Sequence, residues 1–458
     1  MKNLIISQND NVAVDLSTGH KIALTDINKG NDIIKYGYPI GHAVNDIKKG
    51  EAVHTSNLKT NLSGIVDYNY APKLKQAEKL SSKTFMGYKR ESGKVGIRND
   101  IWIINTVGCV NKTAEILAKK TGAFSFAHPF GCSQLGGDHS TTQKVLKGLV
   151  NHPNAGGVLI LGLGCENNNI NELKKILGDI NPNRVKFLET QKVNDEITEG
   201  IRLIEELKTY ANTFKREEIS IDQLVVGLKC GGSDAFSGIT ANPLVGRFCD
   251  TLTSYGGSAI LSEVPEMFGA EQILMNRCEN EEVFNKTVEL INNFKQYFIR
   301  YNQVVYENPS PGNKEGGITT LEEKSLGCVQ KCGSSNVVDV LDYGDSISKT
   351  GLNLLNGPGN DIVACTNLTA AGANLILFTT GRGTPLGAPV PTIKISSNSR
   401  LFNQKNNWID FNAGSILDGE DLAKDFFDFV MDIVNGRETK NEINEYREIS
   451  IFKDGVTL

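Results

Sequence analysis

The chain has no apolar run long enough to span a bilayer. Its first residues, MKNLIISQND, hold neither the apolar stretch nor the cleavage site of a secretory leader. A cytoplasmic protein with no membrane partner is expected. Charge of one sign is also scarce. With 48 Lys and Arg against 53 Asp and Glu, the net charge is −5. That supports neither a nucleic-acid-binding face nor a polybasic membrane contact. No short-period repeat and no low-complexity tract interrupts the 458 residues, a length that allows two or three domains with ample core. The nine cysteines are odd in number, which argues against a disulfide framework. They lack the compact multi-cysteine run of a ferredoxin. The glycine-rich turn KCGGSDAFSG (229–238) lacks both the GxGxxG spacing and the lysine of a phosphate loop. GLGCE (162–166) imitates a glycine fingerprint, but Glu166 would repel a pyrophosphate.

What is present reads as two styles of chain. Over the first sixty or so residues, short β-like runs such as KIALTDI and DIIKYG alternate with turns such as NKGND and KKGE. A small all-β module is expected over residues 1–66. DYNYAPKLKQAEKLSSKT (67–84) is polar, contains Pro72 and lacks periodicity, as a linker does. From residue 85 the pattern is α/β. IWIINTVGC (101–109), AFSFAHPFGC (123–132), GGVLILGLGCE (156–166) and RVKFLET (184–190) read as strands, each followed by helical text. In the first of those helices Asn111 serves as N-cap and Gly122 as stop. A second round starts at LVVGLKC (224–230) and continues with SAILSEV (258–264), NLILFTTGRGTP (374–385) and PTIKISSN (391–398). Long helical text fills 270–306, and an apolar stripe marks a helix over 420–436. Alternating strands and helices imply parallel sheets with helical crossovers. The expected fold is therefore α/β, with a middle domain over 85–220 and a second parallel-sheet domain over 221–458.

In such sheets ligands bind beyond the carboxyl ends of the strands. Four of the strand candidates end at a cysteine: Cys109, Cys132, Cys165 and Cys230. A fifth ends at Glu263, with Glu266 close behind Pro265. Strand ends favour small residues, which explains any one cysteine. Four together, gathered on converging edges with carboxylates, suggest a metal site. Gly231 and Gly232 let backbone approach a ligand, and Ser233, Asp234 and Ser237 offer polar contacts. A lone histidine is more often structural than functional. His128 in AHPFGCS and His54 in GEAVHTSN stand out because glycine-rich or cysteine-bearing turns flank them. Arg382 lies between glycines in TTGRGTPLGAP, and Arg98 lies in VGIRND. Either is a surface charge or a bidentate clamp for a carboxylate. Cys328 and Cys332, in CVQKC, have no matching second pair and do not read as a structural zinc site.

Taken together, several strings resemble the altronate/galactarate dehydratase family over nearly the whole chain. They are YGYPIGHAVNDIKKGEAVH, GYKRESGKVGIRN, FGCSQLGGD, HPNAGGVLILGLGCENN, LKCGGSDAFSGITANP, AILSEVPEMFGAE and LFTTGRGTPLGAPVPTIKISSNS. The N-terminal strings are most similar to the altronate branch. The resemblance implies an SAF-type β-clip domain, a linker, a middle domain that forms a homodimer, and a Rossmann-like C-terminal domain. It also implies a metal-dependent hydro-lyase in hexuronate breakdown, taking D-altronate to 2-keto-3-deoxy-D-gluconate and water. The metal would be Fe2+, with Mn2+ as the alternative.

Dehydrating a 2,3-dihydroxy acid removes a weakly acidic proton beside the carboxylate and expels the 3-hydroxyl. A divalent ion, a general base and a general acid are the natural parts. On residue chemistry the expected metal ligands are Cys132, Cys230 and Glu263, with Cys165 in reserve. Asp234 or His128 is the expected base, and His54 the acid or a further ligand. Arg382 and Arg98 would hold the carboxylate, and Ser233, Thr240 and Asn242 the hydroxyls. Three rival readings stand beside this one. The cysteines could carry an iron–sulfur cluster. The same site could act on galactarate or eliminate sulfite from sulfolactate. A non-catalytic sugar-acid-binding protein would keep the pocket without ligands or base.

Overall fold

Short β-branched runs between glycine turns pair locally and build the N-terminal module. The computed structural model describes residues 3–76 and 79–458. Two antiparallel sheets form the module. One contains Asn3–Leu4, Val12–Asp15, Lys21–Ala23 and Ala52–Val53, and the other Asp32–Lys35, Tyr38–Ala43 and Leu58–Lys59. The hairpin joining Asp32–Lys35 to Tyr38–Ala43 turns through Tyr36 and Gly37, both at positive φ. A bulky residue there is strained, whereas glycine is not.

Residues 67–76 and 79–83 carry no regular structure, and Ala77 and Glu78 of the expected linker lie outside the described residues. This stretch is nonetheless fixed to the C-terminal domain. The Tyr68 hydroxyl donates to Glu271 at 2.7 Å, and Lys73 N to Asn276 O at 2.6 Å.

The middle domain holds a four-stranded parallel sheet in the order Phe124–Phe126, Asp100–Asn105, Ala155–Gly162, Val185–Glu189. The C-terminal domain holds seven parallel strands. Their order is Val337–Leu341, Leu352–Leu355, Ser258–Leu261, Val225–Cys230, Leu375–Thr380, Thr392–Ser396, Phe411–Asn412. From Val225–Cys230 the chain goes first to Ser258–Leu261 on one side and later returns to Leu375–Thr380 on the other, so the topological switch lies between Val225–Cys230 and Leu375–Thr380. The middle domain packs against this sheet: Trp102, Phe126 and Val158 share one core with Leu368, Ile376 and Phe378.

Several strands stop earlier than the sequence suggests. Asp100–Asn105 ends four residues before Cys109, and Phe124–Phe126 ends six before Cys132. Ser258–Leu261 ends before Glu263, which takes φ 70° and turns the chain into a 3-10 turn over Val264–Glu266. Asn111 is the first helical residue rather than the cap, and its side-chain oxygen accepts from Asn105 instead. The helical text over 270–306 divides into Glu271–Met275 and Glu281–Arg300.

One short helix, Leu321–Cys328, ties the module to the large sheet. All eight of its residues are buried. Glu323 accepts from Lys21 at 2.8 Å and from Lys35 at 2.7 Å, and both lysines come from the module. Glu322 accepts from Thr60 Oγ1 at 2.8 Å and Asn61 N at 2.6 Å, while Thr320 Oγ1 donates to Ile40 O at 2.6 Å. Burial alone would raise the Glu323 pKa, but the two ammonium groups outweigh it and hold the carboxyl well below its usual range. Burial pulls Lys21 down to about 8 against the attraction of Glu323.

Replacing Glu323 with Gln strands two buried ammonium groups, so urea unfolding should show a loss of about 3–5 kcal/mol. For the native chain the sign is fixed by the lowered pKa. The Glu323 contribution is complete above the unfolded carboxyl's titration and is lost as pH falls through the acid range. A Gln variant as stable as the parent would show that this triad does not anchor the module.

Candidate functional site

The carboxyl end of strand Val225–Cys230 gathers a dense group of buried charge. Lys229, fully buried, pairs with Glu263 and with Asp361 Oδ1 at 2.8 Å. Glu263 Oε2 also accepts from Cys230 N at 3.0 Å, and Lys331 Nζ lies 3.3 Å from the same oxygen. The left-handed turn at Glu263 points this carboxylate back across the strand ends. Beyond it, Glu266 Oε2 accepts from Cys230 Sγ at 3.1 Å and from Cys328 Sγ at 3.0 Å. The two sulfurs are 3.4 Å apart, and Lys331 Nζ donates to Cys230 Sγ at 2.9 Å. Lys324 pairs with Glu266 Oε1 at 2.7 Å.

Burial would raise the Glu266 pKa, but Lys324, Lys229 and Lys331 hold it below the usual range. Glu263 lies above the usual range because burial and the neighbouring Glu266 outweigh Lys229 and Lys331. The Cys328 thiol is pushed up by its contact with Cys230 and by burial.

Cys230, Glu266 and Cys328 offer donor atoms that all lie within 4.8 Å of one another. Ligand thiolates at about 2.3 Å from a tetrahedral ion need a spacing only slightly wider than this sulfur pair shows. Glu263, Glu266 and Asp361 balance Lys229, Lys324 and Lys331. A divalent ion therefore enters without net charge if both thiols release their protons. Donor chemistry, spacing and charge fit a thiophilic divalent ion such as ferrous iron.

A cleft of about 770 Å3 opens at the topological switch. Asp234, Gly381, Arg382, Asn398 and Arg400 come to it from the C-terminal domain, and Leu16, Ser17 and Thr18 from the module. Asp234 Oδ1 accepts from Ser237 Oγ at 2.9 Å and Ser397 Oγ at 2.7 Å, and Oδ2 accepts from Asn398 Nδ2 at 3.0 Å. These bonds fix the carboxylate's orientation. The bareness of the two turns has a steric cause. Gly232 sits at φ 63°, and a Cβ at Gly381 would lie 2.3 Å from Asp234 Cγ. Gly381 N donates to Gly232 O at 3.0 Å, so the turns interlock only as glycines.

Arg382 is about half exposed and pairs at 3.1 Å with the exposed Glu315. Such a pair is weak and readily exchanged for a ligand carboxylate. Arg400 makes no hydrogen bond or ion pair among the described residues. Behind the cleft a cavity of about 10 Å3, the scale of one water, is lined by Tyr36, Ser233, Asp234, Asn242, Lys324 and Cys328. It links Asp234 to the thiol cluster. Lys35 Nζ lies over the Tyr36 ring, 4.9 Å from its centroid. The Tyr36 pKa is raised by burial and by Glu323 and Cys328, with Lys35 opposing.

The structure separates the expected site residues into three groups. Asp234 and Arg382 share the cleft, while Ser233 lines the small cavity behind it. Cys230 and Glu263 share the charged strand end. Thr240 and Asn242 lie nearby but bond to the fold: Thr240 Oγ1 donates to Ser397 O, and Asn242 bridges Gly327 O and Thr379 Oγ1. Arg98 spends all five donors on Glu442 and the carbonyls of Ile97, Ile433 and Arg437, so none is left for a substrate. His128 is buried, with Nε2 on Asn105 O at 2.9 Å and Nδ1 accepting from Phe130 N at 3.2 Å. Both ring nitrogens are committed and burial lowers its pKa. His54 is exposed, accepts from Ser56 N, and does not line the cleft. Cys132 and Cys165 lie at the exposed edge of the middle sheet, in a different domain from Cys230.

Sequence reading missed Cys328, Lys229, Lys324, Lys331, Tyr36 and Arg400 as site residues. The signal for Cys328 was present, since CVQKC places a second thiol and a lysine three residues apart. What hid it was the expectation of a paired zinc motif.

The fold and the cleft define an α/β enzyme with its site at the carboxyl ends of a parallel sheet. The chain belongs to the altronate/galactarate dehydratase family. Family models match in three blocks: the altronate/galactarate dehydratase SAF domain over residues 1–61, the D-galactarate dehydratase/altronate hydrolase second domain over 87–212, and the D-galactarate/altronate dehydratase C-terminal domain over 221–457. It is 52% identical to the altronate dehydratase of Bacillus subtilis (strain 168), with 97% of this chain and 93% of the relative covered. It is 50% identical to the altronate dehydratase of Escherichia coli (strain K12), with the same coverage of 97% and 93%. With the galactarate dehydratase (L-threo-forming) of the same E. coli strain the identity is 33%, over 92% of this chain and 86% of the relative.

If three lysines neutralise the strand end as described, Lys331→Met leaves Glu263 and Cys230 short of a buried partner. A loss of about 3–5 kcal/mol by thermal or urea unfolding is expected. Stability equal to the parent's would contradict this charge assignment.

Proposed function

We propose that this chain is a metal-dependent hydro-lyase that converts D-altronate to 2-keto-3-deoxy-D-gluconate and water. The observation that carries the reading is the cleft shared by Asp234 and Arg382, in a chain half identical over nearly its full length to two altronate dehydratases. Arg382, released from Glu315, clamps the substrate carboxylate through paired N–H donors. Asp234 accepts the proton from the carbon beside it. Tyr36 stands on the other side of the small cavity as the proton donor to the departing 3-hydroxyl, a role the sequence had suggested for His54. The enol so formed tautomerises to the 2-keto acid.

Cys230, Glu266 and Cys328 are the set that would hold the divalent ion, ferrous iron first and manganese second. When bound, that ion would supply a Lewis acid that stabilises the negative charge developing as Asp234 takes the proton. The homodimer implied by the family resemblance belongs to the same proposal and is read from light scattering. Arg400 is a second free guanidinium in the cleft, which a hexarate's second carboxylate would need. Galactarate therefore belongs in the test.

The test is anaerobic turnover of D-altronate, galactarate, D-mannonate and sulfolactate with added ferrous iron, with and without chelator. Chelator-sensitive formation of 2-keto-3-deoxy acid from D-altronate is expected. Iron-loaded protein that turns over none of the four would overturn the reading. Asp234→Asn should lower kcat by about 10²–10⁴-fold, the range for losing a general base. Arg382→Ala should act chiefly on KM, through loss of the carboxylate clamp. Full kcat in the Asn variant would remove Asp234 from the chemistry.

A further inference from the structure

Six of the nine cysteines are buried, and Cys109, Cys132 and Cys165 are exposed. Cysteine is among the residue types most often buried, so three exposed thiols on one sheet edge need a cause. Each follows a glycine: Gly108, Gly131 and Gly164. Each lies on the loop beyond the carboxyl end of one of three adjacent parallel strands, Asp100–Asn105, Phe124–Phe126 and Ala155–Gly162.

These loops are laced into one unit. Gly108 N donates to Phe130 O at 2.9 Å, and Asn168 N to Gly131 O at 2.9 Å. Asn168 Nδ2 donates to Thr106 O at 3.0 Å, and Ser133 N to Asn167 Oδ1 at 2.9 Å. A Cβ at Gly131 would fall 1.9 Å from Thr106 O, and one at Gly108 would fall 2.9 Å from His128 O. Glycine is what lets the cysteine-bearing turns close on each other.

A buried polar network lies beneath them. The Glu166 carboxylate accepts from Thr106 Oγ1 at 2.6 Å and from Leu163 N at 3.0 Å. His128 bridges Asn105 O and Phe130 N. Burying a carboxylate and an imidazole is costly unless they are fully bonded, and neither lines the substrate cleft. What they hold in place is the three loops. The thiols themselves are nearly free. Cys109 has no hydrogen-bond partner among the described residues. Cys132 has one contact, from Ser133 Oγ at 3.8 Å, and Cys165 one from Gln191 Nε2 at 3.5 Å.

The three sulfurs do not all lie within 4.8 Å of one another. One ion bonded to each thiolate at about 2.3 Å requires every pair within about 4.6 Å. A lone ion therefore does not fit this arrangement. An iron–sulfur cluster places each thiolate on a different iron and spreads its ligands wider. We propose that Cys109, Cys132 and Cys165 form a three-thiolate binding site for an iron–sulfur cluster, separate from the Cys230 set and leaving one cluster position without a cysteine. On binding, each thiol gives its proton to solvent and forms one sulfur–iron bond. The protein is neither oxidised nor reduced.

The test is anaerobic incubation of the full chain with ferrous and ferric iron and sulfide, followed by desalting. Acid-labile sulfide, iron and visible absorbance are then measured. The parent protein should retain labile sulfide with the broad absorbance of a cluster. Cys109→Ser, Cys132→Ser and Cys165→Ser should each lose it while unfolding at the parent's temperature, and Cys328→Ser should keep it. A parent that binds iron without labile sulfide, or three Ser variants that retain parental sulfide, would overturn the proposal. No substrate enters this assay, so its outcome is independent of whether altronate is turned over.

Discussion

Glu323 holds the molecule's two ends together. Its carboxylate receives two lysines from a module whose sequence lies some three hundred residues away, and every partner is buried. A buried ion pair costs its full desolvation when one member is missing. The helix that bears Glu323 is therefore strongly destabilised without the module in place. That helix ends at Cys328 and carries Lys324, so the same contact sets the far wall of the thiol cluster. The hairpin that brings Lys35 also brings Tyr36, in a strained left-handed conformation, to the cavity beside Asp234. Strain of this kind persists where surrounding structure fixes it, commonly at functional sites.

The strand end at Cys230 shows how charge is managed in a closed space. Three carboxylates face three ammonium groups, and the sulfurs of Cys230 and Cys328 sit between them. The carboxylates and ammonium groups balance, and a divalent ion bound by two thiolates would leave that balance unchanged. The cleft proposed to take the substrate is separate and open, and Arg382 and Arg400 line it. The two regions meet only through a cavity the size of a water molecule.

Where local sequence determines local structure, the chain could be read directly. Alternating strands and helices from residue 85 gave the parallel sheets, and short runs between glycine turns gave the β module. Asp234 and Arg382, which glycines flank at the ends of apolar runs, do line one cleft. The helix Leu321–Cys328 was not legible, because it is buried on all sides and so shows no amphipathic period. His128 and Arg98 misled for a related reason. Their neighbours in sequence looked like a site, while their bonding partners, such as Glu442 for Arg98, are far away in the chain. The four strand-end cysteines looked like one cluster. They belong to two sheets, a division that only the packing of domains reveals.

If the module forms part of the active site, Tyr36 is the residue through which it acts. The most direct measurement is steady-state turnover of D-altronate by Tyr36→Phe, beside its unfolding temperature and its iron content. A folded, iron-loaded variant is expected whose kcat falls by about 10²-fold or more, as for loss of a general acid, with KM little changed. A variant with the parent's kcat would contradict that role, and would reduce the module to a structural cover.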